Sequence, residues 1–133
     1  MSLIRITIAL LGLIIVAATS ADPRTTNDAV YYKAQAKVGE QLYKDHCLIC
    51  HDKKYFRPIF KTWDGQSLGV LNTVMSASMP ESNPGALPQQ DYVDILAYVL
   101  SLNRYPAGDA NLSDENGALN EITIAQRRSA AAK

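Results

Sequence analysis

Apolar positions recur at intervals of three and four through "YYKAQAKVGEQLYKDHC", residues 31–47, where Tyr32, Ala36, Gly39 and Tyr43 share a face and good helix formers fill most other places. The pattern predicts a first helix. Gly39 weakens it by about 1 kcal/mol relative to Ala, which a close crossing with another helix would offset. A second helical period starts at "SLGVLNTVMS", with Leu68, Leu71, Val74 and Met75 on one face, Ser67 as N-cap and an end near Met79-Pro80. The strongest period lies in "PQQDYVDILAYVLSLNR": Tyr92, Ile95, Leu96, Val99, Leu100 and Leu102 form the apolar face, Pro88 sits in the first turn and Asn103 near the end.

Between these segments the chain reads as irregular. Residues 52–66 hold Pro58 and Gly65 and predict a loop, yet Tyr55, Phe56, Phe60 and Trp63 require that it cover something apolar. "PESNPGALP" is turn chemistry. Residues 22–30 are polar and read as a flexible lead-in, and Leu112, Leu119, Ile122 and Ile124 suggest an extended strap from Tyr105 to Ile124, with disorder beyond Gln126. With no alternating strand pattern and no repeat, the expected class is all-α, helices joined by long structured loops. So few helices leave an undersized core, which a bulky cofactor would complete.

The composition, 133 residues with 47% hydrophobic and 20% charged, fits one globular domain. "MSLIR", an apolar run from Ile6 to Ala18 and the small residues of "ATSA" predict an export signal cut after Ala21. The run falls short of the roughly 20 apolar residues of a membrane span. The expected layout is a signal over 1–21, the lead-in over 22–30, the domain over 31–105, and a strap with a disordered end over 106–133. Loss of Arg5 with the signal leaves 12 basic and 13 acidic residues, a net charge of −1. That balance argues against nucleic acid as partner and against a polybasic membrane binder. No stable membrane insertion is expected after cleavage, and the implied location is the periplasm.

"HCLICHDKK", residues 46–54, contains both cysteines and both histidines of the chain. A structural disulfide is a poor reading, because so short a loop removes little entropy from the unfolded state. A redox dithiol requires Cys-x-x-Cys at a helix N-terminus after a strand, whereas these cysteines follow a helical pattern. A zinc site requires four ligands, usually in two well-separated pairs. Covalent haem attachment requires two thiols for thioether bonds and a following His to ligate iron, and Cys47, Cys50 and His51 supply them in order. His46 reads as a solvated polar neighbour of that site.

A second iron ligand would close the metal to substrate and suit electron transfer. Met75 falls in step with Leu68, Leu71 and Val74 and reads as core. Met79 lies just before Pro80 in irregular chain, free to turn outward, and is the preferred ligand.

"GEQLYKDHCLICH", followed by "TWDGQSLGVLNTVMSASMPESNPGALPQQDYVDILAYVLSLNRYPAG", resembles the class I c-type cytochromes. Residues 35–124 are more narrowly similar to the single-haem cytochromes and cytochrome domains associated with pyrroloquinoline-quinone alcohol dehydrogenases. The resemblance implies a small cytochrome c fold around one covalent haem c, with Cys47, Cys50, His51 and Met79 holding it. It also implies that Gly39 and Tyr43 cross Tyr98, and that the Pro58 carbonyl receives the His51 ring N–H. Trp63 then packs on the haem and reaches a propionate, or is a plain core Trp. Asp52 stands where the family commonly has Gly, and the stretch from His51 to Met79 is shorter than in many mitochondrial members.

The implied function is electron transfer rather than enzymatic turnover. A periplasmic dehydrogenase, a quinoprotein by the resemblance, would be the donor and another cytochrome or a terminal oxidase the acceptor. Lys53, Lys54, Arg57 and Lys61 form either a positive rim for an acidic partner or an ordinary solvated loop. The rival readings are a haem catalyst or gas binder with an open iron, and a subunit whose haem supports assembly.

Overall fold

Residues 23–128 are described by the structure, a computed structural model. The expected signal, residues 1–21, and the last residues of the expected disordered end, 129–133, lie outside the described residues. The chain is mostly α-helical, and its frame is a crossing between α1 (Lys33–His46) and α4 (Gln89–Leu102). At the crossing the helix backbones touch: a Cβ on Gly39 would collide with the Asp94 carbonyl. Only glycine permits that approach, which accounts for its place inside a helix. One turn further on, the buried Tyr43 packs against Tyr98 with ring centroids 5.3 Å apart.

α4 is the central element. Tyr92, Val93 and every residue from Ile95 to Leu100 are buried, so the helix is enclosed on almost all sides. Pro88 precedes its first turn in extended conformation, and Asp91 there complements the helix dipole. α3 (Leu68–Ser78) begins as predicted, with Ser67 Oγ accepting the Val70 N–H at 3.1 Å. Leu68 and Leu71 are buried beneath it, and Gly69 lies against Asn120, which brings the C-terminal strap close to this helix.

Three features depart from the sequence-based picture. Residues 52–66 are not wholly loop, because α2 spans Phe56–Thr62. Pro58 lies in its first turn, where proline forfeits no helical hydrogen bond. The fold is also not purely α-helical: β1 (Arg24–Thr25) pairs in parallel with β2 (Ile122–Thr123). Nor is the lead-in loose. Thr26 is fully buried, with its hydroxyl bonded to the backbone of Ala125 in both directions at 3.1–3.2 Å. Tyr31 donates its hydroxyl to the Tyr105 carbonyl at 2.9 Å, and the Tyr31 carbonyl accepts from Gly108 N–H at 2.8 Å.

The lead-in is polar because its partners are strap backbone groups, and a pairing between chain ends leaves no local period to read. The strap also ties the loop before α3: Gly65 N–H donates to Ile124 and Ile124 N–H donates to Gln66, each at 2.8 Å. Leu112, Leu119, Ile122 and Ile124 are buried in the common core, and a kinked 3₁₀ turn over Glu115–Glu121 places Leu119 there. No helix among the described residues is long and apolar enough to cross a membrane.

Gln35 fastens strap to frame. Its buried amide donates to the Leu112 carbonyl at 2.8 Å and to Asp94 Oδ1 at 2.9 Å, while its oxygen accepts the Leu112 N–H at 2.7 Å. Gln35→Ala is expected to lower unfolding free energy by about 1–3 kcal/mol, because it strands both backbone groups of buried Leu112. Gly39→Ala is expected to cost about 1–3 kcal/mol or more, since the obstacle is helix backbone. Denaturant midpoints check both, and a wild-type midpoint for Gly39→Ala would contradict the crossing.

Candidate functional site

α1 delivers the Cys-x-x-Cys-His segment. The helix ends at His46, and the Cys47 and Leu48 N–H groups both donate to the Tyr43 carbonyl at 2.9 Å. The chain then folds back on itself: Cys50 and His51 N–H groups donate to the Cys47 carbonyl at 3.1 and 2.8 Å. Tyr43 closes this turn from below, its hydroxyl donating to the carbonyls of His51 at 2.5 Å and Asp52 at 3.2 Å. Burial, with smaller contributions from Cys47, Tyr98 and Asp52, pushes the Tyr43 hydroxyl up to about 12, so it stays a donor at ordinary pH. Asp52 organises the next turn. Its Oδ1 accepts the N–H groups of Lys54 at 2.7 Å and Tyr55 at 3.1 Å.

Beside this segment lies a cavity of about 570 Å³, within the range of sites that hold organic ligands. Cys47, Cys50 and His51 line one part of it. Leu71, Val74 and Met75 from α3, Met79 just beyond its end, and Phe56, Trp63 and Ile95 also line it, so its walls are predominantly apolar. His51 stacks on Tyr55 at 4.2 Å between centroids and meets Phe56 edge-on at 5.9 Å. Exposed His46 and Glu81 border the cavity, and Ile49, between the two cysteines, is 93% exposed.

Met79 caps the C-terminus of α3, its N–H donating to the Met75 carbonyl at 2.9 Å. Its own carbonyl accepts the Tyr92 hydroxyl at 2.6 Å and the Gly85 N–H at 3.3 Å. Met75 lines the same cavity while packing on the core, so both methionines contribute to this wall.

The residues singled out in the sequence are therefore brought together, with one exception. Cys47, Cys50, His51, Trp63 and Met79 all face one cavity. Pro58 does not line it: the residue is exposed on α2, and its carbonyl accepts the Thr62 hydroxyl at 3.4 Å, one turn along the helix. The helical turn that replaces the expected loop aims this carbonyl along the α2 axis. The aromatic pair Tyr55 and Phe56 contacts the His51 ring instead.

Burial pushes the Cys47 thiol up to about 11, the opposite of the lowered value an attacking thiolate requires. Its position at the C-cap of α1 likewise withholds helix-dipole assistance. Both cysteines are free thiols. Among the described residues no three His, Cys, Asp or Glu side chains group as a metal site; the two thiols and the imidazole all line the cavity. Two unpaired thiols, an adjacent imidazole and a thioether-bearing apolar wall form a donor set that fits a planar, covalently held haem.

Tyr92 and Tyr43 are site-forming residues that the helical periods did not single out as such. Their positions on buried faces were legible, and a buried tyrosine hydroxyl needs a partner, which was the available signal. Comparison of the chain with protein-family models, curated proteins and solved structures finds no match.

Asp52 supplies a direct test of the turn that follows His51. Asp52→Ala is expected to lower unfolding free energy by about 0.5–2 kcal/mol, and Asp52→Asn, which keeps the accepting oxygen, to cost much less. Equal losses in thermal unfolding for the two variants would contradict the role of Oδ1.

Proposed function

We propose that this chain is a periplasmic single-haem electron carrier with a small class I cytochrome c fold. The observation that carries the reading is the convergence of Cys47, Cys50, His51 and Met79 on one apolar cavity. His51 and Met79 would be the iron ligands, and the two thiols would bond the haem covalently. Its export rests on the segment before Asp22, and its class on the resemblance of residues 35–124. A quinoprotein alcohol dehydrogenase or a similar dehydrogenase is the proposed donor, and a downstream cytochrome or terminal oxidase the proposed acceptor.

The haem, when bound, supplies a reversible one-electron couple at iron. The chain's contribution is to hold and to exclude. Tyr43 fixes the backbone of His51 and Asp52, and Tyr55 with Phe56 restrains the imidazole ring. Leu71, Val74, Phe56 and Ile95 keep the cavity apolar, which disfavours the additional charge of an oxidised centre. A thioether from Met79 favours the reduced state over a second imidazole, so both effects act in the same direction, towards a positive potential. The reading is of a carrier rather than an enzyme.

Lys54, Arg57 and Lys61 lie exposed on α2 and the turn before it, next to the cavity-lining Tyr55 and Phe56. Lys53 is 3.7 Å from Glu40 across the surface, a distance at which an exposed pair contributes little. These cations support steering of an acidic partner, with an on-rate that falls as salt rises.

Redox titration of the exported protein is expected to give a positive midpoint. Met79→Ala should lower it and abolish the weak far-red sulfur-to-iron absorption band, whereas Met75→Ala should keep both. Loss of the band in Met75→Ala alone would transfer the ligand to Met75. A high-spin spectrum in the wild-type protein, with ready carbon monoxide binding when reduced, would replace the carrier by an open-iron catalyst or gas binder.

A further inference from the structure

The turn that follows Met79 is held at both ends by one side chain. Tyr92 is buried on α4, and its hydroxyl donates to the Met79 carbonyl at 2.6 Å while lying 3.4 Å from the Leu87 N–H that it accepts. The other hydrogen bonds within the segment, Asn83 N–H to Pro80, Gly85 N–H to Met79 and Ala86 N–H to Asn83, are internal and move with it. Among the hydrogen bonds of the described residues, those of Tyr92 are the ones that tie the Met79–Leu87 turn to α4.

Tyr43 makes an analogous bond on the other part of the cavity, from α1 to the His51 carbonyl. α1 and α4 are locked together at Gly39, and Tyr43 packs on Tyr98 of α4. The backbone carbonyls of His51 and Met79 are thus each bonded to this rigid helix pair through a tyrosine hydroxyl. The two sides differ in what else restrains them. His51 follows two cysteines in a tight turn, whereas Met79 stands at a helix end followed by a turn whose residues 81–86 are all exposed.

We propose that Tyr92 is a positioning residue for Met79, its hydroxyl holding the thioether side of the cavity to the helix pair that carries His51. The proposal rests on the reading of Met79 as an iron ligand. It predicts that loss of this one hydroxyl makes Met79 easier to displace while leaving the cavity and its lining intact.

The test is imidazole titration of the oxidised holoprotein, followed by the far-red band, for wild type and for Tyr92→Phe, Tyr98→Phe and Met79→Ala. Tyr92→Phe retains the ring and its packing, and imidazole affinity should rise about five-fold, the worth of one hydrogen bond. Tyr98 is the matched control: it is buried on the same helix, but its hydroxyl has no hydrogen-bond partner among the described residues, so Tyr98→Phe should match wild type. Unchanged imidazole affinity in Tyr92→Phe, beside an intact far-red band that Met79→Ala abolishes, would overturn the positioning role and leave Met79 as ligand. Equal rises in both Phe variants would also overturn it, as a general loosening of α4. A far-red band that survives in Met79→Ala would overturn the ligand reading and the proposal with it. If Tyr92→Phe yields no holoprotein, Gln35→Ala provides the second comparison. It removes the bonds of α1 to Asp94 and to the strap without touching the Met79–Leu87 turn, so imidazole affinity should stay at the wild-type value, and a rise of about five-fold there would likewise refute a local role.

Discussion

The approach of Gly39 to the Asp94 carbonyl sets the geometry on which the rest of the structure depends. With no side chain between them, α1 and α4 pack backbone to backbone, and every buried residue of α4 gains a fixed reference. That contact also decides where the end of α1 lies. Since Cys47 caps this helix and the next four residues fold back upon it, the Cys-x-x-Cys-His segment has little freedom once the crossing is made. Glycine's conformational cost in a helix, about 1 kcal/mol, is small beside the overpacking penalty of any larger residue there.

A second layer of constraint comes from the chain ends. The strap from Tyr105 to Ile124 puts Leu112, Leu119, Ile122 and Ile124 into the core and passes between the N-terminal segment and the loop before α3. Gln35 joins it to α1 and α4, and Gly69 meets it at Asn120. α3 is therefore held to the strap through Gly69 against Asn120 and sinks Leu68 and Leu71 into the core, ahead of Met75 and Met79. The cavity wall inherits its position from both.

Much of this was legible in the sequence where the hydrophobic period was local. α1, α3 and α4 lie where the three- and four-residue spacings place them, and Ser67 caps α3 as its type and position suggest. A close crossing at Gly39 was the expected use of a glycine inside that period, whereas the packing of Tyr43 on Tyr98 was implied only by the resemblance. α2 was hidden because its seven residues make barely two turns and Pro58 reads as a breaker unless its first-turn position is known. The parallel pairing of Arg24–Thr25 with Ile122–Thr123 joins segments almost a hundred residues apart, for which no local period exists. At the site, residue types named the cysteines, histidine and methionine, while the tyrosine hydroxyls and the turn of the Pro58 carbonyl depend on backbone directions that spacing does not encode.

The proposed carrier thus consists of a rigid helix pair, a cysteine-histidine turn fixed to one helix, and a methionine turn fixed to the other. Its central claim is that the cavity between them holds a haem bonded through Cys47 and Cys50. The most direct measurement is the intact mass of the denatured protein after production with haem-attachment machinery, compared with that of the Cys47→Ala, Cys50→Ala double variant. The account predicts that wild type retains the mass of one haem through acidic organic extraction and that the double variant carries none. A wild-type chain that loses all its haem on extraction, or never gains it, would contradict the account.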